Sequence, residues 1–217
     1  MSEERGLTRI DQAELTVVLD VRHPFSYLAL EPAIAFGNKH GLEINWLPIR
    51  SKPLKAPTTQ GPQDDRSIRH RRNRAQMIAR EIETYASAAG LTIRDYYRDP
   101  DPSALHLGLL FARSAGKTIV ESFLRESFRG YWAGELAPND LHAIAKIVAS
   151  SGADPDAFEA WCETEGRALD EGIAADLTAR GVTVAPGYLV QGEFFHGRQH
   201  LPMIEWILGG RVGPGPI

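Results

Sequence analysis

Apolar and polar positions follow one another in blocks that predict strands near both ends of the chain and helices between them. Residues 15–20 (LTVVLD) form a short apolar, β-branched run that is typical of a buried strand. The segment 25–40 has a helical pattern, with Pro24 suited to its first position and Gly41 to its end. Residues 42–49 alternate and predict a second strand. Because a helix separates the two strands, we expect them to be parallel.

The middle of the chain, from residue 64 to residue 180, is helical by pattern almost throughout. The first helix of this block is expected to begin at Asp64 or Asp65 and to end at Gly90. An apolar stripe at helical spacing marks its buried face; the stripe comprises Ile68, Ala75, Ala79, Ile82 and Ala86. Further helices are expected to begin at Pro102, Lys117, Pro138 and Asp154, and the last of the block to end near Gly181.

The pattern returns to strands after this block. A turn at Gln191–Gly192 joins two short runs, 187–190 and 193–196, and a closing helix is expected over 201–208. Strand–helix units interrupted by a helical block indicate an α/β core with a helical insertion. We expect the core to comprise 12–50 and 181–209, the inserted helical domain 64–180, and a flexible Gly/Pro-rich tail 210–217.

Composition narrows the class of protein. The 217 residues are 43% hydrophobic and 24% charged, which is ordinary for a globular protein. No run reaches the roughly 18 apolar residues of a membrane span, and residues 1–5 lack the apolar stretch of a signal peptide, so we expect a cytoplasmic protein with no membrane partner. The net charge of -4 argues against nucleic-acid binding. Six arginines within 66–80 indicate either a solvated helix face or a rim that attracts a small anion.

The single cysteine and the spacing of the histidines limit the chemistry of the chain. Cys162 is the single cysteine, so the chain cannot form an internal disulfide. Disulfide exchange within one site needs an attacking and a resolving sulfur, so we predict no disulfide oxidoreductase activity. His106 and His142 are isolated in the sequence, and no His/Cys/carboxylate cluster has metal-ligand spacing. We therefore expect no metal site.

Two segments resemble a known family. Residues 20–29 (DVRHPFSYLA) resemble the segment after the first strand in the DsbA-like thioredoxin superfamily, where disulfide-forming members carry Cys-Pro-x-Cys at a helix N-terminus. The pentapeptide 23–27 (HPFSY) is similar to the Ser-Pro-[Tyr/Phe]-Ser-[Tyr/Trp] form of the branch that contains 2-hydroxychromene-2-carboxylate isomerase and kappa-class glutathione transferase. Residues 181–186 (GVTVAP) and 195–205 (FHGRQHLPMIE) resemble that branch's late segment, Gly-x-x-x-[Val/Leu]-Pro followed by Gly-[Asn/Ser]-Asp-Arg-Leu.

The resemblance implies an α/β, thioredoxin-like fold with a large all-helical insertion and a cis peptide bond before Pro186. It also implies an isomerase or transferase that acts on a small aromatic or unsaturated carboxylate, with glutathione as cofactor, in a homodimer. Two departures bear on glutathione. The family serine that contacts the glutathione sulfur is His23 here, and the family Asn/Ser-Asp pair that holds the γ-glutamyl end is Arg198-Gln199. A glutathione-dependent enzyme, a glutathione-free enzyme and a non-catalytic member that binds a small anion or a partner all stay open.

The catalytic candidates are His23 and Ser26. A helix N-terminus presents free N–H groups and a partial positive charge, which disfavours imidazolium, so we expect His23 to be mostly neutral at pH 7. A neutral imidazole can accept a proton or donate an N–H to an anionic substrate. The alternative is a turn histidine bonded to backbone. For Ser26 the alternative is a structural serine.

The ligand-binding candidates surround the same helix N-terminus. Tyr27 is expected either in the core or with its hydroxyl in the cleft. Arg72 interrupts the apolar stripe, and its guanidinium is expected either to reach a substrate carboxylate or to extend to the surface. By resemblance, the backbone of Ala185 and Pro186 faces His23, and Gln199 occupies the ligand-binding loop. Arg198 and His200 in the same loop are expected to make the pocket more cationic.

Overall fold

The computed structural model describes residues 8–57 and 66–216, and its element order is the one that the sequence predicts. The strands are β1 (Leu15–Leu19), β2 (Ile44–Pro48), β3 (Gly187–Val190) and β4 (Glu193–His196). The helices are α1 (Pro24–His40), α2 (Arg66–Ala89), α3 (Ser103–Ser114), α4 (Lys117–Ala133), α5 (Leu141–Ser150), α6 (Pro155–Trp161), α7 (Arg167–Ala179) and α8 (Leu201–Leu208). None of the helices in the described ranges combines the length and the apolar composition needed to cross a membrane.

The strands form a mixed sheet in the order β2-β1-β3-β4. β1 and β2 pair in parallel, from Leu15 opposite Ile44 to Leu19 opposite Pro48, so the expected β-α-β unit is confirmed. β3 lies antiparallel to β1, and β4 lies antiparallel to β3. All residues of β1, β2 and β3 are buried, whereas β4 forms an edge that is partly exposed. The sheet and its flanking helices form the expected α/β architecture.

Local sequence explains where several elements begin and end. Pro24 occupies the first turn of α1, where its missing N–H has no partner to lose, and Gly41 ends the helix with a φ of 67°. The β3–β4 hairpin turns at Gln191 and Gly192, whose φ values of 48° and 81° are both positive, as a two-residue type I′ turn requires. The predicted start of α2 at Asp64 or Asp65 lies outside the described residues.

The helical block packs as its apolar stripe predicts. In α2, Ala75, Ile82 and Ala86 are buried and Ile68 and Ala79 are half-buried. One buried core joins residues of the sheet, of α1 and of α3 to α5, so the domain boundaries drawn from the sequence stay a prediction.

α6 and α7 are connected through a π-helical turn, Cys162–Gly166, rather than by a loop. A Cβ at Gly166 would lie 2.8 Å from the ring of Trp161, so this glycine lets the indole pack directly on the backbone. Cys162 is 1% exposed, and burial raises the pKa of its thiol to about 11.

Candidate functional site

A tight turn at the carboxyl end of β1 presents His23 at the N-terminus of α1. The His23 N–H donates to the carbonyl of Asp20 at 3.0 Å, and the Ser26 N–H donates to the carbonyl of His23 at 2.9 Å. His23 occupies the N-cap position with extended backbone angles, but its side chain makes no capping hydrogen bond. Nδ1 of His23 is buried and has no hydrogen-bond partner among the described residues. It therefore does not make the backbone hydrogen bond that the alternative of a turn histidine requires.

A buried ion pair between Asp20 and Arg22 fixes this turn. Asp20 is 1% exposed and Arg22 is 5% exposed. Asp20 Oδ1 accepts from the backbone N–H and Nε of Arg22, both at 3.0 Å, and Asp20 Oδ2 accepts from Arg22 Nη2 at 2.7 Å. The charges satisfy one another at short range, which buried charges require if they are not to be strongly destabilising.

The same network reaches two other segments of the chain. The N–H and the hydroxyl of Ser51, which follows β2, both donate to Asp20 Oδ2 at 2.8 Å. Arg22 Nη2 donates to the carbonyl of Ser51 at 3.0 Å, and Arg22 Nη1 forms an ion pair with Asp99 in the connection between α2 and α3. The backbone that carries His23 is thus held by two segments that are distant from it in sequence, at Ser51 and at Asp99.

The electrostatic surroundings keep His23 neutral. Burial is the largest effect, and it lowers the pKa of His23 to about 4 from an ordinary value of 6.5; Asp20 opposes this, while His196 and Arg22 lower the pKa further. We expected a neutral imidazole from the helix N-terminus, whereas burial and two neighbouring basic groups are the causes in the structure. Since Nδ1 is buried, Nε2 is the nitrogen left to a ligand.

The segment with Pro186 leads into β3, which lies antiparallel to β1 with Gly187 opposite Val18. The Ala185–Pro186 peptide bond is cis, which confirms the expectation. The carbonyl of Pro186 accepts from the Gly197 N–H at 2.9 Å, and Gly187 pairs with His196 across the hairpin. His196 is the site residue that the sequence reasoning missed: it lies within the segment 195–205 whose resemblance was noted, and it contributes to the lowered pKa of His23.

Ser26 and Tyr27 point into the fold more than into a cleft. Ser26 is 0% exposed, and its Oγ accepts from the Asp20 N–H at 3.2 Å, which favours the structural alternative over catalysis. The ring of Tyr27 stacks on Phe128 of α4 with centroids 5.4 Å apart, and burial raises the pKa of its hydroxyl. Tyr27 stays a ligand-binding candidate, since its side chain is half-buried.

The polar side chains of the loop after β4 make contacts with other parts of the fold. Arg198 Nη1 donates to the carbonyl of Leu28 at 3.3 Å, and its guanidinium lies 4.1 Å from the ring centroid of Tyr85 in α2. Gln199 Nε2 donates to the carbonyl of His196 at 2.9 Å. Arg198 therefore joins α1 to α2, and both side chains would have to leave these contacts to bind a ligand.

The other candidates lie elsewhere in the helical block. Arg72 is half-buried in α2, and its part in ligand binding stays a prediction. The sequence suggested that His106 is isolated, but its Nδ1 lies 3.3 Å from Oδ1 of Asp170 in α7. A buried helix face brings together these two residues, which are 64 positions apart. Within the described residues no group of three or more His, Cys, Asp and Glu side chains could hold a metal ion.

A cavity of about 660 Å³ lies beside the network that holds the turn. It is lined by residues 98–100 and 134–139, and it includes Asp99, the partner of Arg22. Its volume is within the range of small-molecule sites. A second cavity, of about 200 Å³, lies near the start of β1, at the opposite edge of the sheet. The described lining of neither cavity includes His23, so the chemistry is argued from His23 and its neighbours.

Comparison with solved structures gives similar folds at low sequence identity. A 2-hydroxychromene-2-carboxylate isomerase shares 20% identity with a TM-score of 0.66, covering 91% of this chain and 95% of its own. A Nitrosomonas europaea protein, provisionally named a protein disulfide isomerase, shares 12% identity with a TM-score of 0.63, covering 92% and 98%. The cytosolic disulfide reductase DsbM from Pseudomonas aeruginosa, solved with GSH, shares 14% identity with a TM-score of 0.56, covering 91% and 98%.

At these identities the similarity establishes the fold alone. No curated protein sequence matches the chain. The model of the DSBA-like thioredoxin domain matches residues 14–209, which include the whole sheet, α1 and the helical block. The expected thioredoxin-like fold with its helical insertion is thereby confirmed, and the chain belongs to the family of DSBA-like thioredoxin domains.

Proposed function

We propose that this chain is an isomerase-type enzyme that acts on a small aromatic or unsaturated carboxylate at the turn carrying His23. The observation that carries the proposal is the position of His23 at the N-terminus of α1, where its side chain makes no capping hydrogen bond and its Nδ1 has no partner among the described residues. Burial lowers the pKa of His23 to about 4, which supports a neutral imidazole. This uncharged base stands at the N-terminus of α1, where backbone N–H groups and the helix dipole favour an anion. The combination suits an anionic substrate that exchanges a proton.

Substrate charge makes His23 a better base. An imidazole with a pKa of about 4 is a weak base at pH 7, and general bases work best near the operating pH. A carboxylate bound nearby favours imidazolium and raises the pKa. In 2-hydroxychromene-2-carboxylate, Nε2 then accepts the proton of the C2 hydroxyl, and C2 becomes a ketone as the ring C2–O bond breaks and its electron pair leaves on a phenolate oxygen. The phenolate is conjugated with the side-chain double bond, so that bond rotates, and Nε2 returns the proton to the phenolate oxygen. The step therefore needs no oxidant and no second substrate.

The residues do not fit the γ-glutamyl end of glutathione. The family aspartate is replaced by Gln199, whose amide donates to the His196 carbonyl. Glu193, the acidic residue of the same hairpin, forms an ion pair with Arg211. A buried ammonium without a partner costs several kcal/mol, which corresponds to orders of magnitude in affinity. We therefore propose that glutathione binds weakly, and we derive no step through it, although one structure of this fold was solved with GSH.

A non-catalytic, anion-binding protein is the second candidate. Two observations favour it: the low pKa of His23, which makes it a weak base in the free protein, and the engagement of Arg198 with Leu28 and Tyr85. In this alternative a carboxylate still binds at the N-terminus of α1, but no bond of the ligand changes. Cys162 is buried with a thiol pKa raised to about 11, which supports neither a thiol nucleophile nor disulfide exchange in either alternative.

The test measures turnover and binding together. 2-Hydroxychromene-2-carboxylate serves as the substrate and benzoate as a non-reacting ligand, with and without reduced glutathione. We expect isomerisation without glutathione that is lost in His23→Gln and kept in His40→Gln, a change to the histidine at the opposite end of α1. Binding of both carboxylates without turnover would support the second candidate. Turnover that requires glutathione would support the glutathione-dependent enzyme instead, and the absence of carboxylate binding would contradict both candidates.

A further inference from the structure

The edge of the sheet opposite His23 carries a separate group of charged residues. β1 and β2 are parallel, so Glu14 and Asn45 lie at their amino ends while His23 follows the carboxyl end of β1. Five strand residues span about 15 Å, so the two places are well separated. The cavity of about 200 Å³ lies at this edge, and it is lined by Arg9, Gln12, Ala13, Glu14, Glu43 and Asn45.

Arg113 approaches this edge from the last turn of α3. Its Nη1 donates to Oδ1 of Asn45 at 3.2 Å. The amide of Asn45 is fixed in orientation, because its Nδ2 donates to the carbonyl of Thr8 at 2.8 Å and to Oγ1 of Thr16 at 2.9 Å. The contact between Arg113 and Asn45 is thus set by the fold rather than by chance at the surface.

The guanidinium groups of Arg9 and Arg113 have no carboxylate partner within 4 Å in the part of the chain that the structure describes. Burial lowers the pKa of Arg113 to about 10, and the charge of Arg9 lowers it further. A desolvated cation beside a like charge is unfavourable unless an anion joins it. Groups held in such surroundings are found preferentially at binding sites.

The backbone around Arg9 is held in a conformation that non-glycine residues rarely adopt. Its φ is 57°, in the left-handed region. The turn is maintained because the carbonyl of Arg9 accepts from the N–H of Gln12 at 3.2 Å and from the N–H of Ala13 at 3.1 Å. A positive-φ residue that lines a cavity is consistent with a side chain positioned for binding.

We propose that this edge binds a small zwitterion of the α-amino acid class, with its carboxylate against the guanidinium groups of Arg9 and Arg113. Glu14 and Glu43 line the same cavity and supply carboxylates for the ammonium group. Guanidinium groups bind carboxylates through paired hydrogen bonds, which gives both strength and orientation. A water molecule occupies about 30 Å³ in the liquid, so a cavity of about 200 Å³ holds roughly seven such groups, the size of a small amino acid.

Calorimetry with serine as the probe tests the ligand class, with acetate and ethanolamine as ligands that keep only one of its charges. We expect serine to bind at least tenfold more tightly than either, and Arg9→Gln and Arg113→Gln each to weaken serine at least tenfold. Arg74→Gln, which removes an exposed arginine of α2, and His23→Gln should leave serine binding unchanged. No measurable binding up to about 10 mM serine, or unchanged binding in Arg9→Gln, would overturn the proposal.

The stability of the ligand-free protein provides a second test. Arg113→Met keeps most of the side-chain volume and removes a charge that pairs with no carboxylate among the residues the structure describes, so we expect a melting temperature no more than about 4 °C below that of the unchanged protein. A larger drop would show that the fold compensates the charge, and it would overturn the proposal. Serine should raise the melting temperature of the unchanged protein but not that of Arg113→Met.

Discussion

The two loops that flank the candidate site differ in how they are held. Residues 20–22 of the turn are buried and His23 is half-buried, and the ion pair of the turn joins the ends of β1 and β2 and the α2–α3 connection. The loop 197–200 lies at the surface. It is held by the hydrogen bond from the Gly197 N–H to the Pro186 carbonyl and by contacts of Arg198 and Gln199 to nearby backbone and to one ring. The fold therefore fixes the position and charge state of His23, whereas residues 198 and 199 can be substituted without disturbing the core.

The largest expected effect comes from breaking the buried network. Asp20→Asn keeps the size of the side chain but leaves Arg22 buried with an incomplete counter-charge, which should lower the free energy of unfolding by about 3 kcal/mol. Urea denaturation measures the loss. The control is Glu31→Gln, which breaks the exposed pair with Arg125 and should cost at most about 1 kcal/mol. Equal effects of the two changes would remove the contrast between the loops.

The next effect is a pH dependence of stability that His23 causes. Its pKa is about 4 in the folded protein and near 6.5 when unfolded, so the unfolded chain binds the extra proton as the pH falls between these values. The folded protein should therefore lose about 3 kcal/mol of stability from this group between pH 6.5 and pH 4. His23→Gln should remove that loss. Parallel stability curves for the two proteins over this window would contradict the lowered pKa of His23.

A smaller effect is expected at the surface loop. Arg198→Ala removes a hydrogen bond to the Leu28 carbonyl and a cation–π contact with Tyr85. Because these two contacts stabilise the fold, the substitution should lower the free energy of unfolding by about 1–2 kcal/mol. Tyr85→Leu should remove part of the same amount, and the double variant should show that the two changes are not additive. Unchanged stability together with weaker carboxylate binding would assign Arg198 to the ligand instead.

The smallest effect concerns Cys162. Because the thiol is buried and its pKa is raised to about 11, its reaction with a disulfide reagent in the native protein should be far slower than that of a free thiol at the same pH. Cys162→Ala should leave carboxylate binding unchanged. Reduction of insulin disulfides by the protein, unaltered in Cys162→Ala, would show a redox activity that does not come from this sulfur.

The sequence predicted most of the fold, because each element carries local signals. Pro24 and Gly41 mark the ends of α1, and the turn at Gln191–Gly192 separates two strands of the expected length. The cis bond before Pro186 came from the family resemblance alone, since nothing local distinguishes it. His23 was found through the same resemblance, and its neutral state was predicted correctly but for a different reason, because burial cannot be read from a turn.

The parts that sequence did not reveal depend on long-range contacts. Asp20 and Arg22 are two residues apart, but their burial depends on Ser51 and Asp99, which only folding brings to the turn. His196 gave no pattern of its own, and its relation to His23 follows from the pairing of β3 with β4. Ser26 matches a position of the family motif and was therefore a catalytic candidate, but its burial against Asp20 favours a structural role.

The most direct test of the central claim is the titration of the His23 imidazole by nuclear magnetic resonance. The chain has seven histidines, so the His23 signals are assigned by their absence in His23→Gln. We predict that these signals stay at the neutral position from pH 8 down to pH 5, and that saturating benzoate raises the apparent pKa above its free value of about 4. A pKa near 6.5 that does not respond to benzoate would contradict the account.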